Sequence, residues 1–226
     1  IAAHFHEWMT AAGGLYLRRH APYVATLFTT HATVMGRCIA GNHLPLYTDL
    51  TKFNADELAR QFNVVAKHSI EKAAAAYHDA FVTVSDITAN ECKFLLGREP
   101  DCITPNGFEN DFVWTGEEYD AKRAEARKTM ISVAEACLGE KFAEEPLIVG
   151  TSGRYEFRNK GIDVFIESLK KLAASPRLKR QVLAYITVPA ANRGPRADLQ
   201  AHLADPSKPI DGGQYKYTTH YLEYQS

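Results

Sequence analysis

Two fixed cations, Arg154 and Lys160, stand six positions apart in the stretch TSGRYEFRNKGID at 151–163. They follow the apolar run Pro146-Leu147-Ile148-Val149 and precede a helical pattern, so they mark the place where a strand hands over to a helix. In open α/β sheets, ligands bind beyond the carboxyl ends of the strands, at helix N-termini whose free N–H groups favour anions. Arginine offers a planar fork for phosphate oxygens and lysine a mobile point charge. Together they could hold a diphosphate and neutralise the charge that develops as it leaves. The plainer alternative is that both are solvated surface residues. No GxGxxG fingerprint and no GxxxxGK[ST] loop occurs, so dinucleotide dehydrogenases and P-loop enzymes lack support.

A second constellation is the pair His4 and His6 in HFH, directly after an apolar run. Imidazoles at i and i+2 on a strand point the same way and can share a zinc ion. Such a centre needs further ligands from other strand ends, with His31 and His220 as the candidates. A charged stretch at 108–145 would interrupt the barrel on which these hydrolase sites are built, and it would leave Arg154 and Lys160 without a role.

The elements that must position these residues alternate. IAAHF (1–5), YVATLFTTH (23–31), AFVTVSD (80–86) and DCITPNG (101–107) predict strands. Helices are expected around Met9 to Arg19 and from about Asp56 to Asp79, the latter with Leu58, Phe62, Val65, Ile70, Ala73 and Tyr77 on one face. TANECKFLLG (88–97) predicts a further helix capped by Thr88, with Glu91 three residues on as in a capping box. Residues 108–145 carry many charges and no strand candidate, and predict a helical connector. The pattern then restarts with strand PLIVGTSG, helix GIDVFIESLKKLAA burying Ile162, Phe165, Leu169 and Leu172, and strand VLAYITVPA (182–190). Residues 191–213 are rich in breakers and predict a flexible surface loop before YKYTTHYLEY (215–224). Apolar strands separated by helices predict an α/β fold with a parallel sheet covered on both faces.

Composition adds exclusions. The chain has 226 residues, 46% apolar and 23% charged, with a formal net charge of −1. That balance gives no electrostatic reason for nucleic acid or an anionic membrane as partner. No apolar run approaches the roughly 18 residues of a membrane span, and no signal peptide is recognisable. Cys38, Cys92, Cys102 and Cys137 form no CxxC pair, which suits a reducing cytoplasm better than a disulfide framework.

The run SGRYEFRNKGIDVFIESLKKL resembles the start of the second domain in glycogen synthases of the animal and fungal type. Four further segments match that family in order: FHEW (5–8), FTTHATVMGR (28–37), TVSDITANE (83–91) and ITPNG (103–107). The resemblance covers most of the chain and fades in 108–145 and 191–213.

It implies two Rossmann-like units of a GT-B glycosyltransferase, both incomplete here: 1–107, the connector 108–145, and 146–226, with the active site in the cleft. It also implies transfer of glucose from UDP-glucose to the 4-OH at a non-reducing end of an α-1,4-glucan, with retention of configuration and no metal. By motif, Arg154 and Lys160 correspond to the residues that bind the donor diphosphate. His31 corresponds to the histidine facing the donor glucose, Arg37 to a second basic residue beside it, and Glu7 to an acidic residue close to donor sugar or acceptor. The form GRYExxNKG points to UDP-glucose users over ADP-glucose-dependent glycogen and starch synthases or sucrose and trehalose-phosphate synthases. Retention could use a carboxylate nucleophile, for which Glu7 is the one candidate in these motifs, or a departing phosphate that takes the acceptor proton on the same face.

Each residue also has an ordinary explanation. His31 could bond backbone in a loop, Glu7 could serve the helix that follows it, and Arg37 could be a surface residue. Asn106-Gly107 is expected to be a turn, and His220 to end another strand without a catalytic role. A glycine-rich N-terminal segment, a later acidic motif and an arginine cluster beyond Ser226 are family features this sequence lacks, so the chain by itself is expected to be weakly active or inactive. The insert at 191–213 is shorter than the family's tetramer-forming insertion; a homo-oligomer stays open. A glucan-binding module without catalysis is the remaining alternative.

Overall fold

The computed structural model describes residues 1–211 and 213–223. It divides into two compact units, Ile1–Phe108 and Glu109–Ser226. The fold class is α/β, as the alternation of strand and helix patterns predicts.

The first unit holds four parallel strands in chain order: β1 (Ala2–His6), β2 (Ala25–Thr30), β3 (Ala80–Thr83) and β4 (Cys102–Ile103). Register pairs His6 with Thr29, Thr30 with Thr83, and Thr83 with Ile103, so the carboxyl ends line up along one edge. Helices α1 (Glu7–His20), α2 (Val34–Gly41), α3 (Ala55–Gln61), α4 (Val65–Tyr77) and α5 (Asp86–Glu91) connect them. One apolar cluster gathers Ala11 of α1, Phe28, Phe81, Ala74, Ala75, Cys92 and Leu96; a second gathers Met35, Ile39, Leu46, Leu50, Ala55, Ala59 and Leu95.

Four expectations in this unit need correction. The helix expected from Asp56 to Asp79 is two helices, broken at Asn63, whose φ of 56° is left-handed. The buried face of α4 is His68, Glu71, Ala74 and Ala75, while Val65 and Tyr77 are exposed. Two polar side chains can occupy that face because both are bonded: His68 Nε2 meets Asp56 Oδ1 at 3.0 Å, and Glu71 bonds the turn after β2. The helix after β3 begins at Asp86 and is capped by Ser85, whose hydroxyl accepts from the Thr88 N–H at 3.1 Å. Thr88 therefore lies inside the helix, and Glu91 is committed to other partners. Asn106-Gly107 lies in an exposed irregular stretch without a turn.

Buried histidine shapes this core too. His78 is 3% exposed, donates its Nδ1–H to Ala74 O (2.9 Å), and lies between Phe5 and Phe28 with ring centroids 5.5 Å from each. A Cβ on Gly14 of α1 would fall within its imidazole ring, so α1 approaches α4 this closely because residue 14 has no side chain.

The second unit contains α6 (Gly116–Leu138), the parallel pair β5 (Leu147–Ser152) and β6 (Val182–Thr187), α7 (Ile162–Ala173), and the antiparallel pair β7 (Asn192–Pro195) and β8 (His220–Leu222) flanking α8 (Ala197–Ala204). The long charged helix α6 packs on α8, and Tyr185 of β6 donates its hydroxyl to Met130 O at 2.6 Å. Arg127 of α6 bonds Glu145 and the Pro146 carbonyl. On α7, Ile162 is buried, Phe165 and Leu169 are half-buried, and Leu172 is exposed, so less of the expected face is covered.

Within the expected loop 191–213 the described residues include strand β7 and helix α8, and a buried arginine joins them to the segment that follows. Arg196 is fully buried, pairs with Asp198 at 2.5 Å, and donates to the carbonyls of Tyr215 and Thr218 at 3.0 and 3.2 Å. Five donors in a fixed fork let one side chain satisfy two chain segments, which is how a polar stretch becomes strand and helix. His220 begins β8 instead of ending a strand. The last residue of YKYTTHYLEY, residue 224, lies outside the described residues.

Candidate active site

At the carboxyl edge of the first sheet, the turn Thr30–Val34 carries the TTHAT motif. Side chains from neighbouring elements bond several of its polar groups. Thr30 Oγ1 lies 3.0 Å from Glu71 Oε1, and the Val34 N–H donates to Glu71 Oε2 at 2.9 Å. Thr33 Oγ1 donates to Glu91 Oε2 at 2.7 Å and accepts from the Gly36 N–H at 2.9 Å, which caps α2. Thr83 donates to the Thr30 carbonyl at 2.8 Å. The His31 N–H donates to Glu7 Oε1 at 2.8 Å. Gly36 is required here, because a Cβ at that position would collide with the Glu91 carboxylate and the Thr33 hydroxyl.

The side chain of His31 is half-buried and turns to His6, Nε2 to Nδ1 at 3.1 Å. His4 reaches Thr29 Oγ1 at 2.7 Å and stacks near His6, ring centroids 4.0 Å apart. Burial holds the His4 imidazole below its usual value, and the neighbouring His6 and His31 add to that. Among the described residues, no group of three or more His, Cys, Asp or Glu side chains is arranged to hold a metal ion. Of the HFH pair, His6 meets His31, while His220 belongs to the other compact unit.

Glu7 follows β1 directly and has a φ of 63°, a left-handed conformation that costs a non-glycine residue about 1 kcal/mol. The hydrogen bond to His31 is what that conformation makes. Arg37 is half-buried in the first turn of α2, six residues after His31.

In the second unit, β5 ends at Ser152 and α7 starts at Ile162, with Gly161 at φ 66° in the capping position. The intervening loop folds on itself: the Lys160 N–H donates to Glu156 O at 3.0 Å and the Gly161 N–H to Arg158 O at 2.9 Å. The Arg154 guanidinium pairs with Glu156 at 3.0 Å while its side chain stays 57% exposed. The aliphatic stem of Lys160 lies over Gly153, 3.6 Å from where a Cβ would stand. The Lys160 stem therefore lies against the residue that precedes Arg154, just past the carboxyl end of β5. Arg158 takes Asp163 at 2.9 Å, in the first turn of α7.

The sequence reading named Glu7, His31, Arg37, Arg154 and Lys160. Within the first unit the structure brings Glu7 onto His31, and within the second it sets Arg154 and Lys160 in the one loop between β5 and α7, with the Lys160 stem against Gly153. Glu71 and Glu91 were missed as parts of this site. The signal for Glu71 was its spacing: 68, 71, 75 and 78 share a helical face, which places a carboxyl among alanines. Burial pushes the Glu71 carboxyl up to about 7, opposed by its bonds from Val34 and Thr30 and reinforced by Glu7 and Glu91. Glu91 also accepts from the Tyr47 hydroxyl at 3.0 Å, and burial followed by that carboxylate pushes Tyr47 up to about 12.

A family model for glycogen synthase matches residues 1–198. The chain is 36% identical over 196 residues to the Glycogen [starch] synthase of Dictyostelium discoideum, covering 84% of this chain and 22% of that protein. It is 36% identical over 200 residues to Glycogen [starch] synthase isoform 2 of Saccharomyces cerevisiae, covering 85% and 28%. It is 33% identical over 199 residues to the human liver Glycogen [starch] synthase, covering 84% and 28%. The chain thus spans about a quarter of the length of the curated relatives it matches.

Proposed function

Because this chain belongs to the glycogen synthase family, we propose that the protein is a glycosyltransferase carrying glucose from UDP-glucose to the non-reducing end of an α-1,4-glucan. Configuration is retained, no metal takes part, and the cytoplasm is the site of action. No helix among the described residues is long and apolar enough to cross a membrane. The observation that supports the donor assignment is the position of Arg154 and Lys160 in the loop between the end of β5 and the start of α7.

Departure of a nucleoside diphosphate leaves positive character on the sugar and negative charge on the phosphate oxygens. Cations fixed before the reaction act where that charge develops, without reorganisation. Arg154 fits the planar fork role and Lys160 the point-charge role. Glu156 pairs with the Arg154 guanidinium through its Nε, while that side chain stays largely exposed. Arg37 is assigned as a further cation for the phosphates.

His31 is assigned to the donor glucose. Its backbone is fixed by Glu7, and its ring contacts His6. A carboxylate nucleophile at Glu7 fits poorly, since one of its oxygens is already used by the His31 N–H and its backbone is spent on reaching it. The departing phosphate taking the acceptor proton on the same face is the reading this favours. The acceptor hydroxyl then gives its proton to a phosphate oxygen as its oxygen bonds the anomeric carbon, and the carbon–phosphate oxygen bond breaks.

Calorimetric titration of the chain with UDP and with ADP, repeated on Arg154→Ala, tests the assignment. UDP is expected to bind more tightly than ADP, and the variant to bind UDP about 10- to 100-fold more weakly. Equal affinity in the variant would remove the diphosphate from this junction.

A further inference from the structure

Three carboxylates surround the turn that bears His31: Glu7 and Glu91 lie in the motif segments FHEW and TVSDITANE, and Glu71 lies outside them. Glu71 is fully buried on α4, 41 residues from Thr30 in the chain, yet its two oxygens span that turn. One side meets Thr30 Oγ1 before His31, and the other receives the Val34 N–H after it. The same Thr30 hydroxyl lies 3.3 Å from the Ala32 carbonyl. We propose that Glu71 is a positioning residue for the donor-sugar site, its carboxyl bridging Thr30 to Val34 and thereby fixing where His31 stands. The assignment of His31 to donor glucose rests on the function proposed above.

Counting hydrogens sharpens the proposal. The Thr30 hydroxyl has one proton and two acceptor neighbours, Glu71 Oε1 and Ala32 O. With Glu71 ionised, that proton serves the carboxylate or the carbonyl, and one of them goes without it. With Glu71 protonated on Oε1, its O–H donates to Thr30, Thr30 donates to Ala32, and Oε2 still accepts from Val34. All the polar groups flanking His31 are then satisfied by one chain of bonds. Adding or removing one proton therefore changes the bonding on both sides of His31.

The surroundings agree. The charged groups acting on Glu71 include Glu7 at the start of α1 and Glu91 on α5, both acidic; Glu71 in turn acts on Cys38 of α2, which Lys67 of α4 also faces, and on Cys92 in the π turn after α5. From α3, Asp56 is taken up by His68 and Lys72 of α4 itself. Burial with acidic neighbours favours the neutral form, which brings this switch close to neutral pH.

The test uses the 226-residue chain labelled with ¹⁵N, followed by NMR between pH 5.5 and 8.5, with Glu71→Gln and Glu71→Ala alongside. The Val34 amide is expected to shift with a midpoint near 7 in the parent chain, and to stay flat in Glu71→Gln, which mimics the protonated carboxyl. His31 amide and ring signals should match the low-pH parent in Glu71→Gln. In Glu71→Ala they should move, with Val34 hydrogen exchange about tenfold faster. A His31 and Val34 unmoved in Glu71→Ala would overturn the proposal, as would a Val34 shift that titrates unchanged in Glu71→Gln. Should Glu71→Ala fail to fold, the glutamine variant still decides, since a packing role would not abolish the titration. Failure of the transferase assignment would appear instead in the UDP titration of Arg154→Ala and would leave these shifts as described.

Discussion

Glu7 reaches from the end of β1 to the turn after β2 and accepts the His31 N–H at 2.8 Å, from a backbone conformation with φ 63°. A glutamate thus stands where glycine would be at ease, and the bond it makes is the reason local to the structure. The two parallel strands are neighbours in register, His6 opposite Thr29, so a side chain one residue past β1 falls within reach of the turn.

That relationship predicts an order among variants. Glu7→Ala loses the charge-assisted bond and keeps the left-handed cost, and should destabilise by about 1–2 kcal/mol. Glu7→Gly loses the same bond but relieves the backbone, and should be roughly 1 kcal/mol milder. Denaturant melts of the two variants would compare them; equal midpoints would mean that residue 7 relaxes its φ once the bond is gone.

Stability should depend on pH through Glu71. Its folded value of about 7 lies above the ordinary 4.5, so the folded chain binds this proton more tightly than the unfolded chain does. Its contribution is fully present below 4.5 and is lost as pH rises through 7. The separation corresponds to roughly 3 kcal/mol. Chemical denaturation should show Glu71→Gln gaining on the parent chain by an amount that grows across that window, and a constant difference would contradict it.

Asp79 should act in the opposite sense. It accepts the Thr26 N–H at 2.7 Å and the Thr26 hydroxyl at 2.9 Å, and it pairs with Arg18. These partners, the backbone bond first, hold its carboxyl down to about 2. Its contribution is present above the ordinary 3.8 and is lost as pH falls toward 2. Acid titration followed by circular dichroism should find the parent chain losing stability below pH 4 more steeply than Asp79→Asn, which is already weaker at neutral pH.

Gly14→Ala should cost about 3 kcal/mol, because its methyl has nowhere to go but the ring of His78, which is packed between Phe5 and Phe28. Adding His78→Ala should recover part of the loss. A double-mutant cycle with no coupling would place the collision elsewhere.

The sequence by itself determined a good deal here. Apolar runs at Ala2–His6, Ala25–Thr30, Ala80–Thr83 and Leu147–Ser152 became parallel strands, because short β-branched and aromatic runs between helices have few other ways to bury themselves. The motif runs around His31 and Arg154 carried the family, since fixed charges and glycines at a strand-to-helix junction are constrained by spacing along the chain. Ser85 against Thr88 as the cap, and the break at Asn63, turned on one residue's backbone and were not separable by pattern.

Only the tertiary structure decided the rest. Val65 and Tyr77 look like core and are exposed, while His68 and Glu71 look like surface and are buried. Burial of a polar side chain depends on whether partners from distant segments meet it, here Asp56, Thr30 and Val34. The 191–213 segment reads as a loop for the same reason: its order comes from Arg196 reaching Tyr215 and Thr218. Periodicity records what a residue prefers alone; contacts 19 to 41 residues apart along the chain decide what it does, and those are written in space.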